Sequence, residues 1–289
     1  MDARQRILIP LALVALYLIW GGTFLGMKFA IESFPPLLMA AMRFLFAGSL
    51  LYGYLRWRGA PNPSLAQWGG AAIVGFLLLS VGNGGVAYAQ QWVATGTAAM
   101  VIGTMPLWAI IFAGLWGQKP RRSELLGVVL GVVGVIILNS HGSLHSSPLG
   151  AAVLLTAAMA WALGSNWSKH LPMPPGATAS AAQMLGGGVA LVLMGWGSGE
   201  RLVGVPTTKA LLAMLYLVVF GSLIAYSAYL YLLRTVRPAL ATSYAFVNPV
   251  VAMLLGSWLA NEHMMAQDLL ALGIILASVL LVLPFNRRL

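Results

Sequence analysis

The sequence predicts an all-α integral membrane protein with ten transmembrane helices, arranged as two inverted five-helix repeats. Three observations carry this expectation. Of 289 residues, 60% are apolar, and the charged residues are only 16 Lys or Arg and 6 Asp or Glu. A soluble domain carries about 25% charged residues, and a disordered chain needs low hydrophobicity. The apolar residues form long continuous runs rather than the period-two alternation of a membrane barrel. The landmarks of the first half also recur at a nearly constant offset in the second.

A spanning helix needs about 20 mostly apolar residues. Ten runs approach that length, at 7–31, 35–55, 68–90, 94–116, 124–140, 148–168, 176–197, 209–232, 238–260 and 266–285. The breaks between them carry turn or charge signals, among them Pro35-Pro36, Arg56 to Pro63, Lys119-Pro120-Arg121-Arg122, His141 to Pro148 and Pro172 to Gly176. Pro106 and Pro249 fall inside the fourth and ninth runs and predict kinks, because neighbouring helices can satisfy the carbonyl each frees. Arg4 and Arg6 before the first run resemble a signal peptide. The run is too long for one, and no small-residue cleavage site closes it before Trp20. It is therefore taken as the first helix. With no Cys, a disulfide framework and thiolate metal sites are excluded.

Orientation follows from the basic residues. With the N-terminus inside, inner segments hold twelve: Arg4, Arg6, Arg56, Arg58, Lys119, Arg121, Arg122, Lys169, Arg234, Arg237, Arg287 and Arg288. Outer segments hold three: Lys28, Arg201 and Lys209. That bias predicts both termini in the cytoplasm. The net charge of +10 is spread over short inner segments. It fits orientation and attraction to anionic lipid, not nucleic-acid binding.

The halves, 1–141 and 142–289, repeat one another. Trp20 and Lys28 match Trp161 and Lys169, each 141 residues on; Pro106 matches Pro249 at 143 and Gly131 matches Gly273 at 142. Five helices is an odd number, so the second copy starts on the opposite side of the membrane. Inverted repeats are a recurring architecture of secondary transporters, which expose a midplane site to each face in turn.

Local motifs add a resemblance. Leu18-Ile19-Trp20-Gly21-Gly22-Thr23-Phe24 is similar to the signature of the EamA family, in the drug/metabolite transporter superfamily. Pro36 to Arg43-Phe44, Gly82-Asn83-Gly84, Pro106-Leu107 and Ala239 to Pro249 with Glu262 extend the match along the chain. The last stretch is most similar to YedA-type exporters. The resemblance implies export of small metabolites or drugs from the bacterial cytoplasm across the inner membrane. It also implies that the first four helices of each half enclose the pathway and that the fifth and tenth act as scaffold. Glu262 corresponds to Lys119 in the first repeat, so a carboxylate role shared by both halves is not supported.

The candidate substrate-binding residues are Trp20, Thr23, Arg43, Asn83, Tyr88, Thr104, Trp161, Ser165, Asn166, Tyr226, Tyr244 and Asn248. Arg43 is the one charge well inside a span, where it costs about 2.5–3.5 kcal/mol on insertion scales. It is either a contact for an anionic substrate group, part of a gating pair, or a structural arginine bonded to helix-end carbonyls. The polar residues either face a substrate cavity or make ordinary interhelical bonds. Trp20, Trp161 and Tyr244 are placed at the cavity wall, in a pocket suited to amphipathic or aromatic small molecules. Lys28 and Lys169 either snorkel to the interface or act as gate charges, alongside the kinks at Pro106 and Pro249. The fifth helix, with Gly127-x-x-x-Gly131, offers a scaffold or homodimer face. All six acids lie near helix ends, so proton coupling is expected to be weak or indirect. No phosphate-binding loop, metal cluster or catalytic constellation appears, so an enzyme, a cofactor and a metal are not expected. A channel-like pore and a non-transporting helper subunit are the alternatives to a transporter.

Overall fold

The computed structural model describes residues 3–117, 122–140, 147–236, 244–263 and 265–282. Among them, ten helical rods and no strand are found. They are α1 (Gln5–Ala30), α2 (Pro36–Trp57), α3 (Leu65–Ala89), α4 (Thr95–Trp116), α5 (Arg122–Ser140), α6 (Pro148–Trp167), α7 (Ala177–Gly197), α8 (Thr208–Leu233), α9 (Tyr244–Leu259) and α10 (Ala266–Val282). Seven are long and apolar enough to cross a membrane; α5, α9 and α10 contain the shorter apolar helices Leu125–Ile137, Val247–Leu259 and Ala266–Ser278. The start expected for the ninth run, 238–243, lies outside the described residues, as does Lys119.

Helix starts are chemically specified. Ser64 and Gln67 form a reciprocal capping box at α3, Ser147 accepts from the Gly150 amide at α6, and Thr207 accepts from the Ala210 amide at α8. Each satisfies amides that a helix start leaves unpaired. The helices before and after these have no such side chain of their own at α2 and α4, where Pro35 and Ala94 precede the first turn. Both receive a carboxylate from the second half of the chain. Glu200 accepts from the Leu37 and Leu38 amides at 3.1 and 2.9 Å. Glu262 accepts from the Thr95 amide at 2.9 Å and from its hydroxyl at 2.7 Å.

Pairing between helices follows a two-fold pattern. Helix α1 packs on α8 and α3 on α6, while α2 packs on α7, α4 on α9 and α5 on α10. Exchanging each helix with its counterpart in the other half leaves this list unchanged. Close approach is set by glycine. A Cβ added at Gly75 of α3 would overlap the Gln183 carbonyl oxygen of α7, and one at Gly187 would sit 2.7 Å from the Gly75 carbonyl oxygen. Such backbone-to-backbone seams are how apolar helices associate without a hydrophobic driving force. In α5, Gly134 faces Ile275 of α10, and Gly131 faces Leu107 and Ser278. Gly273, the repeat counterpart of Gly131, meets open space, so that equivalence in sequence is not one of packing. The opposite side of α5 exposes Leu126, Val129 and Ile136.

The α4 break differs slightly from the expected kink. Helical residues stop at Ile102 and resume at Met105, with the interruption at Gly103-Thr104. Pro106 instead occupies the first turn of the following segment, where its missing N–H costs nothing. Pro249 does lie inside α9.

Three stretches are π-helical: Ala15–Trp20 in α1, Phe76–Gly84 in α3 and Leu217–Tyr226 in α8. A π-turn inserts a residue and shifts the backbone hydrogen-bond register, a distortion that concentrates at functional sites. The α3 and α8 stretches begin 141 residues apart in the chain. Side chains fasten each stretch to a neighbour. Tyr216 donates to the Ile19 carbonyl at 2.8 Å, Ser80 to the Gly187 carbonyl at 2.8 Å, and the Trp20 indole to the Gly221 carbonyl at 3.2 Å.

Candidate functional site

Two of the π-helical stretches line one small cavity of about 50 Å³, through Trp20 of α1 and Asn83 of α3, and the third, in α8, backs it through the bonds of Gly221 and Ser222 to Trp20 and Arg43. On the scale of one water per 10–15 Å³ it has room for about four waters. Seven of the twelve candidate binding residues line it: Trp20, Thr23, Arg43, Asn83, Trp161, Tyr244 and Asn248, with Phe24, Met27, Val86, Ile102 and Met105 completing the wall.

Arg43 projects from the middle of α2 and is 2% exposed. Its Nε–H donates to the Ser222 hydroxyl at 2.7 Å and its NH1 donates to the Asn83 side-chain oxygen at 3.3 Å. Ser222 in turn donates to the Leu217 carbonyl five residues back, within the α8 π-stretch. A Cβ at Gly221 would come 2.8 Å from the guanidinium, so the glycine clears the space the arginine fills. Ser222 and Asn83 are side chains on π-helical backbone rather than helix-end carbonyls. Among the described residues, no carboxylate pairs with Arg43, and the one ion pair is Lys209–Glu32 at 2.7 Å.

The aromatic wall is a connected set of rings. Trp20 meets Trp161 edge-on at 5.7 Å, Tyr244 edge-on at 5.0 Å and Tyr229 tilted at 5.1 Å. These separations fit the edge-to-face preference of aromatic quadrupoles. The Thr23 hydroxyl donates to the Trp20 carbonyl. With its amide turned to suit both neighbours, Asn248 donates to the Tyr244 carbonyl at 3.3 Å and the Leu16 carbonyl at 3.1 Å. Asn248 thereby ties the helix beside Pro249 to α1.

Five candidates lie off this cavity. Tyr88 stacks edge-on with Trp92 and lines a polar vestibule of about 700 Å³ with Glu32, Gln91, Glu200 and Arg201. Thr104 bonds its own helix at Val101 and lines an apolar crevice of about 410 Å³ between α4, α5 and α6. Asn166 donates to the Ala109 and Ala162 carbonyls. Tyr226 is buried and donates to the Gln183 side chain, while Ser165 reaches the Tyr229 hydroxyl at 3.4 Å. The bonds of Asn166 to Ala109, of Tyr226 to Gln183 and of Ser165 to Tyr229 join neighbouring helices of the packed bundle. The two lysines differ as well: Lys28 donates to the Gln90 carbonyl at 3.1 Å, and Lys169 is exposed. Sequence reasoning did not pick out Ser222, although it stands 139 residues after Asn83, within the offset of the repeats, and the two share Arg43. Among the described residues no cluster of acids and histidines could hold a metal.

The model of the EamA-like transporter family matches twice, over residues 7–140 and 148–283. The chain belongs to the EamA-like transporter family. It is 47% identical over 282 residues to the uncharacterized inner membrane transporter YedA of Escherichia coli K12, spanning 96% of this chain and 92% of that protein. It is 26% identical to a chloroplastic WAT1-related protein of Arabidopsis thaliana, over 93% of this chain and 68% of that one. A solved structure described as a crystal structure of protein superposes with a TM-score of 0.69 at 18% identity, covering 97% of this chain and 99% of its own. This transporter is thus a multi-pass inner-membrane protein, and the names of its family and relatives are those of transporters rather than enzymes.

The carboxylate caps of the transporter give a direct test of how its halves are joined. Glu262→Ala removes the side chain that holds both polar groups of Thr95 at the start of α4. Loss of such a cap costs about 0.5–2 kcal/mol, and we expect a lower melting temperature in detergent. Glu262→Gln keeps the shape and an acceptor, and its melting temperature should fall between the two.

Proposed function

We propose that the protein is a secondary transporter that exports small amphipathic metabolites, such as amino acids or drugs, across the bacterial inner membrane by alternating access. The observation that carries this reading is the central cavity. It lies among α1, α2, α3, α4, α6 and α9, is lined from both halves, and joins one buried charge to an aromatic wall. Repeat-matched Trp20 and Trp161 meet edge-on in its wall, and the two-fold pattern of helix pairing supports two inverted five-helix repeats with boundaries near 1–141 and 142–289. On this reading all ten rods span the bilayer and both termini are cytoplasmic. The vestibule bearing Glu32, Glu200 and Arg201 then opens to the periplasm. A homodimer through the exposed face of α5 is compatible with this arrangement.

The test is counterflow in proteoliposomes loaded with a panel of unlabelled metabolites. Labelled cargo should accumulate transiently against preloaded cargo, with saturation and trans-stimulation. Flux without either would indicate a channel-like pore, and no flux from the purified chain a helper subunit. Because the chain has no native Cys, single cysteines placed at residues 2 and 289 report the sides of the termini. Labelling of one from outside intact cells would overturn the ten-span arrangement.

A further inference from the structure

We infer that the central cavity selects an aromatic or amphipathic monocarboxylate over the corresponding zwitterion or amine. This rests on the transport reading for its biological sense and narrows its cargo to carboxylates, away from zwitterionic amino acids, but the charge argument concerns binding alone. Among the described residues, Arg43 is the only charged one lining the cavity. It is nearly fully buried, and among the described residues no acid neutralises it. Glu32, Glu200, Glu262 and Asp268 are committed elsewhere, to Lys209, to the α2 and α4 amides and to the Met265 amide.

An unneutralised charge at membrane depth is expensive and marks a functional site. Two neutral acceptors, Ser222 and Asn83, hold the Nε and NH1 sides of the guanidinium. A guanidinium carries five N–H donors, these two bonds use two of them, and Arg43 lines the cavity, so the proposed guest bonds the donors that remain. A planar two-oxygen anion matches that fork, and the resulting charge-assisted pair is among the stronger hydrogen-bond types.

Charge counting then narrows the guest. A carboxylate brings one negative charge and makes the occupied cavity neutral. A phosphate monoester brings about −1.5 to −2 and leaves excess negative charge. A zwitterion adds an ammonium for which the wall offers no carboxylate, leaving the occupied site with a net positive charge. An amine adds its charge to that of Arg43. The non-carboxylate end of the guest meets Trp20, Trp161 and Tyr244, which suit a ring or an apolar body. Because the cavity is only about 50 Å³, room for a few waters, entry of such a guest spreads the helices.

The experiment uses three ligands that share one ring and differ in charge: phenylacetate, phenylalanine and phenethylamine. Radiolabelled phenylacetate is bound to the purified full chain in nanodiscs, and the other two compete. Phenylacetate should bind best, phenylalanine at least several-fold weaker, and phenethylamine weakest. Arg43→Gln should weaken phenylacetate binding by about ten- to hundredfold, and Arg43→Lys, which keeps the charge but not the fork, by less. Equal or tighter binding of phenylalanine or phenethylamine overturns the inference. So does absence of phenylacetate binding, or phenylacetate affinity unchanged in a folded Arg43→Gln variant. The three-ligand series on the unaltered chain decides the matter even where the variant does not fold. Phenylacetate that binds through Arg43 but never exchanges across liposomes would overturn the transport reading and leave this one standing. Counterflow of zwitterions or amines without regard to Arg43 would do the reverse.

Discussion

Gly75→Val should abolish most of the folded transporter, while Gly69→Val, two turns earlier on the same helix, should be tolerated. The difference lies in what each Cβ would meet. At Gly75 the new atom would overlap the Gln183 carbonyl oxygen and lie 3.0 Å from the Gly187 amide nitrogen, both backbone atoms of α7. At Gly69 nothing lies within 4 Å. Overpacking a well-fitted interior costs typically 1–3 kcal/mol when side chains can yield. Backbone cannot yield without moving the helix, so the cost at Gly75 is expected at about 3 kcal/mol or above. Fluorescence-detected gel filtration after heating reads this directly. A Gly75→Val melting temperature within a degree of the unaltered protein would show that α3 and α7 are not in backbone contact. The same seam bears on mechanism. Since α3 and α7 belong to opposite halves and touch backbone to backbone, the alternating access proposed above would pivot along this line rather than open it.

The Gly75 seam also shows where sequence legibility stops. The existence and approximate limits of the helices were legible, because apolar runs of about 20 residues have few other uses. Repeat arithmetic was legible too, through Trp20 and Trp161 and through Pro106 and Pro249. Which glycines face a neighbouring backbone was not: Gly131 and Gly273 match in sequence, yet one is packed and the other open. Rotation of each helix about its axis decides this, and a helix apolar on every side gives no stripe from which to read it. The same lack of rotation explains the site. Trp20, Arg43 and Asn83 were identified by depth and by being polar or aromatic in lipid. Tyr88, Thr104 and Asn166 met those criteria equally and turned to other neighbours. Ser222 escaped notice because a lone serine in a membrane helix usually bonds its own backbone. It does so here as well, through Leu217, while also holding Arg43. The π-helical stretches left no sequence signal, since they arise from register shifts stabilised by partners distant in the chain.

Trp20→Ala should give the largest loss of both stability and transport among single changes in the cavity wall, and Trp20→Phe should separate the two. Trp20 is 8% exposed and touches three other rings. Truncating a buried Trp to Ala costs about 3–5 kcal/mol in soluble cores, from lost contacts and the void left behind. Here the void would merge with a cavity that already exists, so the wall between Trp161, Tyr229 and Tyr244 loses its central support. Phenylalanine restores most of the ring area but cannot donate to the Gly221 carbonyl, which sits on π-helical backbone in α8. Losing that hydrogen bond costs about 0.5–1.5 kcal/mol, a smaller loss than that of the whole ring. Gly221 and Ser222 are adjacent, so release of this carbonyl also loosens the segment that holds Arg43. Trp20→Phe is therefore expected to melt only slightly below the unaltered protein while its counterflow rate falls by tenfold or more. A Trp20→Phe protein with full counterflow would show that the indole N–H serves packing alone. One that melts as low as Trp20→Ala would show that the Gly221 bond, rather than the ring, is what holds α1 against α8.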